Sequence, residues 1–397
     1  MEKRDMTNLS NISTDSGHKY RILLVVRWPV GGIRTFIRYV FSHFDPDAFH
    51  FTILGPDLPE MDFMLEDLRA FDVEMIKVGE RPSAFEFFKA VASLVARKRF
   101  NLVHSQGFTS GICAAVPAFL AGCPHMLTSH DVLNKKQFQG IKGRLKKMGM
   151  GTVFSMVQVI HSVSHDAQQN LLEYFPFLDK KLGKCVVIPN GIEVGRFDHV
   201  EPRGLRSELD LGADTFLIGF LGRFMAQKGF CYLVDAIESL SRNENLPRKL
   251  LVVTFGEDGF IREEKAKIAE RGLERYFRFL PFTPNVAGVI KALDVVVMPS
   301  LWEACPLLPM EVFVCGTPLI ATDCIGLREV IAGSPARVVP PRDSGSLAKA
   351  IALEMSDSSS FTRASGFVEQ ARMRFDVKRQ AIDIYNKYLV LLNGNHK

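Results

Sequence analysis

Residues 292–330 read ALDVVVMPSLWEACPLLPMEVFVCGTPLIATDCIGLREV, and this stretch is the strongest indication of the fold. Its apolar run Val295–Met298 predicts a fully buried parallel strand, after which the chain continues as a loop. A helix is expected next, with Pro306 at or near its first position, where a missing N–H costs nothing, and Gly316 just beyond its end. The apolar residues after that glycine predict a second strand. The stretch therefore predicts one βαβ unit, and such units bind ligands at the carboxyl ends of their strands, near helix N-termini.

Glu303 and Glu311 lie in different parts of this unit, the first in the loop and the second about a turn into the helix. Glu303 can accept hydrogen bonds from sugar hydroxyls, and Glu311 from the two hydroxyls of a ribose. N–H groups of the turn between them can hold phosphate oxygens at the positive end of the helix dipole. A nucleoside diphosphate sugar requires contacts in this order. The alternative is that both glutamates are solvated acids near a helix start. The turn consists of Ala304, Cys305, Pro306 and Leu307.

The run E-A-C-P-L-L-P-M-E-V, followed by F-V-C-G-T-P-L-I-A-T, resembles the E-x7-E signature of glycosyltransferase family 4. The family more often has glycine after the first glutamate; Ala304 departs from this, and a contact made by the backbone tolerates it. The resemblance implies retaining enzymes of the GT-B fold, an α/β class in which two Rossmann-like domains with parallel sheets face each other across a cleft. It also implies a nucleotide-sugar substrate and no cofactor or essential metal.

The composition is that of an ordinary globular protein, with 47% hydrophobic and 23% charged residues among 397 and a formal charge of +5. Seven cysteines, an odd number without paired CxxC spacing, predict reduced core thiols in a cytosolic protein. No signal peptide is apparent, and the longest apolar run, Gly111–Cys123, is too short to span a bilayer. We therefore expect a cytoplasmic protein that is soluble or peripheral on the inner face of the membrane.

Strand-like runs alternate with helical patterns throughout, which favours parallel α/β architecture. We expect a disordered tail over 1–19, an acceptor domain over 20–184 and a nucleotide-sugar donor domain over 185–375. By resemblance to GT-B proteins, a helix within 376–397 crosses back to the first domain. The predicted strands lie near Arg21–Val26, His50–Leu54, Val73–Val78, Asn101–His104, Met126–Ser129, Gln158–Val163, Cys185–Ile188, Phe216–Leu221, Leu250–Phe255, Arg278–Leu280, Asp294–Met298, Leu319–Thr322 and Arg337–Val339.

Two cations follow the strand predicted at Phe216–Leu221, in the run G-R-F-M-A-Q-K-G. Arg223 can bind two phosphate oxygens through its planar fork, and Lys228 supplies a point charge. Because the leaving group of glycosyl transfer is a nucleoside diphosphate, cations here would stabilise its developing charge. The alternative is a pair of solvated loop charges. The family's G-R…K-G pattern matches these positions and implies a catalytic, donor-binding role for both side chains.

Three positions in the first half are candidates for the same site. Gly31-Gly32, before a predicted helix, allows close backbone approach to phosphate or acceptor, although a plain turn at the helix start is equally compatible. The resemblance implies a mobile glycine loop that closes over the donor at Gly32. It also places His130, in the run T-S-H-D, near the transferred sugar, whereas a lone histidine is usually structural. Gln106-Gly107 is a weaker candidate.

The run from Leu133 to Phe154 is basic and contains no acidic residue. Phe138, Ile141, Leu145 and Met148 recur at helical spacing, so the run predicts an amphipathic surface helix that contacts anionic lipid or an acceptor. The alternative is a solvated basic helix whose apolar face is buried. The basic side chains are those of Lys135, Lys136, Lys142, Arg144, Lys146 and Lys147.

Metal and nucleic-acid sites are poorly supported. Asp45-Pro46-Asp47 is a literal D-x-D, but its proline and its place before a strand indicate a turn. Neither a zinc spacing nor a phosphate-binding Walker loop is present, and no nucleic-acid-binding module surrounds the basic run.

These observations predict a retaining glycosyltransferase that moves a sugar from a nucleotide donor to a lipid-linked or surface-polysaccharide acceptor. UDP is favoured as the donor nucleotide by its frequency in the family. The catalytic candidates are His130, Arg223, Lys228 and Glu303. Two alternatives remain: a GT-B epimerase or hydrolase of sugar nucleotides, which needs no acceptor, and a non-catalytic partner subunit that binds nucleotide sugar or membrane. The sequence does not indicate an oligomeric state.

Overall fold

The computed structural model describes residues 19–243, 246–256 and 259–394. The tail predicted over 1–19 lies outside these residues, apart from Lys19. The described chain forms two compact units. The first takes the residues up to Gly191 together with those from Val377 onward, and the second is Ile192–Asp376. The last strand of the first unit, Cys185–Val187, was assigned by sequence to the second domain, but it pairs in parallel with Val159–Ser162 in the first.

A seven-stranded sheet forms the centre of the first unit, and every recorded strand pair in it is parallel. Its order is β3-β2-β1-β4-β5-β6-β7, so the direction of chain progression reverses between β1 and β4. The inner strands are apolar runs because helices cover both faces of the sheet. The strands are β1 Tyr20–Val26, β2 Phe49–Gly55, β3 Asp72–Lys77, β4 Leu102–Gln106, β5 His125–Ser129, β6 Val159–Ser162 and β7 Cys185–Val187.

Among the described residues, seven α-helices belong to this unit. They are α1 Gly32–Phe41, α2 Pro59–Asp67, α3 Ala84–Arg97, α4 Phe108–Leu120, α5 Gly140–Met156, α6 His165–Tyr174 and, from the end of the chain, α16 Val377–Asn393. The last helix belongs to this unit because its side chains enter the core: Tyr388 is completely buried, and its ring packs edge-on to Phe44 and Phe49. Gln380 adds hydrogen bonds to Asn190 and to the N–H of Gly191.

The second unit contains a six-stranded parallel sheet in the order β10-β9-β8-β11-β12-β13, with its own reversal between β8 and β11. Its strands are β8 Thr215–Leu221, β9 Lys249–Phe255, β10 Phe277–Leu280, β11 Val295–Met298, β12 Leu319–Thr322 and β13 Arg337–Val339. Its helices are α7 Leu205–Glu208, α8 Phe230–Ser241, α9 Ile261–Glu270, α10 Val286–Lys291, α11 Leu308–Cys315, α12 Leu327–Ile331, α13 Ser344–Ser356, α14 Ser360–Gly366 and α15 Val368–Phe375.

The predicted class is confirmed: all thirteen predicted strands are present, in two Rossmann-like parallel sheets. The helix predicted within 376–397 is observed at Val377–Asn393. Each sheet has a point where the strand order reverses, and in open α/β sheets ligands bind beyond the carboxyl ends of the strands at such a point. The fold therefore predicts ligand binding by the loops after β1 and β4 in the first unit and after β8 and β11 in the second.

Candidate functional site

The loops after β8 and β11 meet at the carboxyl edge of the second sheet, where Lys228 contacts Glu303. The lysine Nζ lies 2.7 Å from Glu303 Oε1, and the Ser300 hydroxyl donates to the same oxygen at 2.8 Å. The Glu303 side chain is 7% exposed and that of Lys228 25% exposed. The pair is therefore largely shielded from water, and each partner compensates the charge of the other.

Close main-chain packing fixes the position of this pair. Gly229, next to Lys228, has φ 67°, and a Cβ at this position would lie 2.0 Å from the carbonyl oxygen of Pro299. Gly326 has φ 75°, and a Cβ there would lie 2.2 Å from the carbonyl oxygen of Glu303. Because only glycine tolerates both this conformation and this contact, the two glycines allow the loops to pack against each other. The N–H of Glu303 also donates to Ile325 at 3.0 Å.

The helix after Glu303 begins later than predicted. Helix α11 starts at Leu308, and Pro309, not Pro306, occupies its first turn. The first hydrogen bond of the helix runs from the main-chain N–H of Glu311 to the carbonyl oxygen of Leu307, at 3.1 Å. Pro306 therefore lies before the helix, in the preceding turn, where it is buried. Both prolines satisfy the sequence rule for a helix start, since a missing N–H is tolerated anywhere in the first turn. The predicted helix end is confirmed: Gly316 caps it with φ 71°.

The other donor-site candidates in this unit lie close in sequence to the pair. Arg223 is exposed in the loop directly after β8, and Glu311 is partly exposed in the first turn of α11. The turn preceding α11 is mostly buried, at Ala304, Cys305 and Pro306, and becomes partly exposed at Leu307. The chemistry near the N-terminus of α11 thus combines a carboxylate, a lysine and main-chain N–H groups, while Pro306 and Pro309 contribute no N–H.

The first-unit candidates lie at the carboxyl edge of the other sheet. Gly31 caps α1 with φ 58°, and Gly32 begins the helix, so the predicted helix start is confirmed. His130 follows β5, and its Nε2 lies 2.7 Å from the side-chain amide of Gln106, the last residue of β4. The Phe36 ring packs against the imidazole at a centroid distance of 4.9 Å. Burial, with a smaller contribution from His161, lowers the pKa of His130 to about 3, so the ring is neutral near pH 7.

The basic run is not one continuous helix. A short 3-10 turn, Lys135–Phe138, precedes α5, and Phe138 lies in this turn and not on the helix. The break lies at Gln139, which is extended with φ −77° and ψ 148°, and at Gly140, which has φ 67°. Gly143 permits the turn to pack against the helix, because a Cβ at this position would lie 2.3 Å from the main chain of Phe138. The turn at Lys135–Phe138 thus packs directly against α5. Phe138 is instead part of an aromatic cluster with Tyr174 and Phe175.

The remaining apolar side chains of the predicted stripe are exposed. Ile141, Leu145 and Met148 are 79%, 60% and 70% exposed, respectively. The alternative of a buried apolar face therefore does not hold for these three residues. Beside them lies a groove of about 600 Å³ with an aromatic wall. Its lining residues are Arg144, Lys147, Met148, Gly151, Thr152, Tyr174, Phe175 and Phe177. Of the six predicted cations, all but Lys147 are exposed; they are Lys135, Lys136, Lys142, Arg144 and Lys146.

Asp45-Pro46-Asp47 forms the predicted turn, closed by the N–H of Asp47 donating to the Asp45 carboxylate at 2.9 Å. Within the described ranges, no group of three or more His, Cys, Asp or Glu side chains is placed to hold a metal ion. No helix in the described part of the chain combines the length and hydropathy needed to span a bilayer.

Sequence reasoning missed two contributors to the Lys228–Glu303 contact, Ser300 and Gly326. The serine lies three residues before Glu303, which is the S-x-x-E spacing of a capping box, so the run S-L-W-E carried a signal that the two residues interact. In the structure the run is a loop, and the hydroxyl donates to the carboxylate itself. Gly326 carried none, because the close approach that requires a glycine joins loops after two different strands.

Two family models match the chain. One, described as "Glycosyl transferases group 1", covers residues 215–357, and the other, "Glycosyl transferase 4-like domain", covers residues 31–191. The UDP-Gal:alpha-D-GlcNAc-diphosphoundecaprenol alpha-1,3-galactosyltransferase of Escherichia coli is 25% identical over 278 residues, which are 68% of this chain and 70% of that protein.

Solved structures show the same architecture along nearly the whole chain. The sucrose-phosphate synthase of Thermosynechococcus elongatus has a TM-score of 0.79 at 19% identity, covering 95% of this chain and all of the other. Anabaena Alr3699/HepE, in complex with UDP and glucose, has a TM-score of 0.76 at 20% identity, covering 93% of this chain and 99% of the other. The chain therefore belongs to the group 1 glycosyltransferases of family 4, which have the GT-B fold.

Proposed function

We propose that this protein is a retaining glycosyltransferase that moves a sugar from a UDP-sugar to a lipid-linked or surface-polysaccharide acceptor at the cytoplasmic membrane face. The observation that carries the proposal is the contact of Lys228 with Glu303, held at 2.7 Å beside the N-terminal turn of α11. A buried carboxylate suits the hydroxyls of a sugar, and the adjoining ammonium suits the phosphate attached to it.

We assign the binding site of the nucleotide sugar to the carboxyl edge of the sheet in the second unit. Arg223 and Lys228 bind the diphosphate, helped by main-chain N–H groups of the turn at 304–307. Glu303 binds the transferred sugar, and Glu311 accepts from the ribose hydroxyls. Lys228 then has two anionic partners, since Glu303 Oε1 and a phosphate oxygen can both accept from its three N–H groups. Ser300 keeps the carboxylate in place while the lysine is shared.

In the first unit we assign Gly32 to donor binding and His130 to a catalytic position near the transferred sugar, and transfer follows a front-face substitution. The bond between the anomeric carbon and the phosphate oxygen breaks while the acceptor oxygen bonds to the same face of the sugar. The acceptor proton passes to the departing phosphate, whose negative charge Arg223 and Lys228 stabilise. These cations neutralise the diphosphate without a metal ion or cofactor.

Helix α5 supports an acceptor bound to lipid. Exposed Ile141, Leu145 and Met148 lie on one helical face, flanked by basic side chains. Such a surface binds anionic lipid through apolar burial plus about 1 kcal/mol for each basic residue near the membrane. The name of the Escherichia coli relative, which includes a diphosphoundecaprenol acceptor and UDP-Gal, agrees with an amphiphilic acceptor and a UDP donor.

Thermal unfolding with UDP, GDP, ADP and their sugar conjugates tests the donor assignment. A ligand at 100 times its Kd adds about 2.7 kcal/mol to the unfolding free energy, so one nucleotide series should raise the Tm clearly. Lys228→Ala should abolish this rise, whereas Lys349→Ala, an exposed lysine on α13, should keep it. The absence of a rise with every nucleotide would contradict the proposal and favour a non-catalytic partner subunit.

Incubation with the stabilising nucleotide sugar tests the reaction class. The proposal requires that the sugar stay intact and unchanged until a lipid-linked acceptor is added, and then appear on the acceptor with its anomeric configuration retained. Release of free sugar, or formation of an epimer, in the absence of acceptor would identify a hydrolase or epimerase instead.

A further inference from the structure

A row of buried polar side chains lies on one face of the first sheet. His104 and Gln106 are two residues apart on β4 and therefore share a face. Thr128 on β5 pairs with Gln106 on one side and with His161 on the other. Tyr388 of α16 reaches the same row and hydrogen-bonds to His104 at 2.6 Å. All five side chains are at most 1% exposed, so each donor must find its acceptor within the protein.

The direction of these hydrogen bonds is set at one end by a main-chain carbonyl. His161 Nε2 lies 2.8 Å from the carbonyl oxygen of Ile188, and since a carbonyl only accepts, Nε2 carries the proton. Burial lowers the pKa of His161 to about 4, so the ring is neutral and its Nδ1 is an acceptor. The Thr128 hydroxyl, 3.0 Å from Nδ1, must therefore donate to it.

The orientation of the Thr128 hydroxyl determines which ring nitrogen of His104 carries the proton. Having donated its one proton, the Thr128 hydroxyl can only accept from His104 Nε2, 2.7 Å away. Desolvation holds the pKa of His104 well below its usual range, so this ring is also neutral. Its Nε2 then carries the proton, and its Nδ1 accepts from the phenol of Tyr388.

Gln106 connects His104 to His130. The structure places the amide nitrogen of Gln106 3.2 Å from His104 Nε2 and the amide oxygen 2.7 Å from His130 Nε2. The two ends of an amide have the same shape, so the hydrogen-bond partners decide between this orientation and the reverse one. Because His104 Nε2 is a donor, the end facing it must be the amide oxygen; a nitrogen there would set two donors against each other. The amide nitrogen consequently faces His130 and donates to its Nε2.

We propose that this chain of hydrogen bonds fixes the tautomer of His130, with its N–H at Nδ1 and its Nε2 accepting from Gln106. His130 is then a hydrogen-bond donor through Nδ1, able to bind an oxygen of a ligand but not to take a proton there. Gln106 is a positioning residue, and Thr128 determines its orientation. The role of His130 toward a bound sugar rests on the proposed function, whereas its tautomer does not.

Long-range ¹H–¹⁵N correlation spectra of the full chain, labelled at histidine, test the tautomer directly, because protonated and unprotonated ring nitrogens differ in ¹⁵N shift. The His130 signals are assigned by their loss in His130→Gln. We expect an N–H at Nδ1 for His130 and at Nε2 for both His104 and His161. An N–H at Nε2 of His130 would overturn the proposal.

Thr128→Val, which keeps the side-chain shape and removes the hydroxyl, tests the connection. His104 can then place its proton on Nδ1 toward the Tyr388 oxygen, Gln106 can reverse, and His130 can carry its N–H at Nε2. We expect signals of both His130 tautomers in this variant and an unchanged spectrum in Thr128→Ser, which keeps the hydroxyl. If folded Thr128→Val shows a single, unchanged His130 tautomer, Thr128 does not determine that tautomer and this part of the proposal is wrong.

This experiment needs neither donor nor acceptor. If nucleotides fail to bind while the predicted tautomers are observed, the proposed function is wrong and the proposed tautomer of His130 is correct. If nucleotide binding is normal but His130 carries its N–H at Nε2, only the proposed tautomer is wrong.

Discussion

Glu303 is a largely buried carboxylate whose Oε1 accepts from both Lys228 and Ser300. Lys228→Ala removes the charge partner, and we expect turnover to fall at least ~100-fold, as for other lost partners of transition-state charge. The unfolding free energy should also fall by about 1–3 kcal/mol, because a buried acceptor loses a donor. Steady-state kinetics and urea denaturation measure the two effects.

Ser300→Ala is the matched comparison, since it removes the other donor to Glu303 but no group assigned to phosphate. Its stability loss should be about 1 kcal/mol, and its turnover should remain well above that of Lys228→Ala. A folded Lys228→Ala enzyme with near-normal turnover would remove Lys228 from the catalytic assignment.

Gly229 combines a left-handed conformation with a close main-chain contact, and a second glycine separates the two effects. Gly272 has φ 65°, against 67° for Gly229, but a Cβ at Gly272 would meet nothing within 4 Å. Gly272→Ala should therefore cost only the conformational penalty of about 1–2 kcal/mol. Gly229→Ala should cost more, because its Cβ displaces Pro299 next to the Lys228–Glu303 pair, and it should abolish the nucleotide-induced rise in Tm. Equal losses in both variants would show that the contact with Pro299 is unimportant.

At the scale of single elements, α5 presents an apolar stripe to solvent. We expect the combined change Ile141→Ser, Leu145→Ser to weaken binding to phosphatidylglycerol vesicles strongly, because the buried apolar area is lost. Stability and nucleotide binding should change little, since both side chains are exposed in the unbound protein. Co-sedimentation with vesicles measures the effect.

Leu353→Ser is the control, because this leucine is 59% exposed on α13 of the second unit. It should leave vesicle binding unchanged. If the α5 variant sediments as the native protein does, or if neutral phosphatidylcholine vesicles bind as tightly as anionic ones, α5 is not the membrane contact.

At the scale of the whole molecule, buried histidines are concentrated in the first unit. Burial lowers the pKa of His125 and His130 to about 3 and that of His161 to about 4, from an ordinary 6.5. The stability that these groups contribute is complete above pH 6.5 and is lost as the pH falls toward 4, because only the unfolded chain binds protons in that window. The slope is about 1.4 kcal/mol per pH unit for each histidine.

The second unit has a single histidine, His199. We therefore expect mild acid, from about pH 7.5 to about pH 5.5, to reduce hydrogen-exchange protection in peptides of the first unit more than in those of the second. Equal loss in the two units would show that the buried histidines do not govern acid sensitivity.

The elements themselves were predictable because their signals are local. All thirteen strands follow from short apolar runs, and the ends of α1 and α11 follow from Gly31 and Gly316. Where local signals conflict, prediction failed. Pro306 and Pro309 both suit a helix start, and only the packing of the turn selects the second. Likewise, the spacing of Phe138 fits α5, but the extended Gln139 and the left-handed Gly140 separate Phe138 from the helix.

The sequence by itself determined the fold class, the family resemblance and the residue types of the candidate site, because each depends on patterns within a few tens of residues. The tertiary structure decided which residues meet. Glu303 is paired with Lys228, 75 positions away, and supported by Gly326, while Tyr388 reaches His104 from 284 positions away. Such contacts depend on how strands are ordered in a sheet and on which helix covers each face. The donors and acceptors of the buried hydrogen bonds in the first unit are likewise set by tertiary structure. The carbonyl of Ile188 fixes the proton of His161, and the bonds that follow join side chains on β6, β5 and β4.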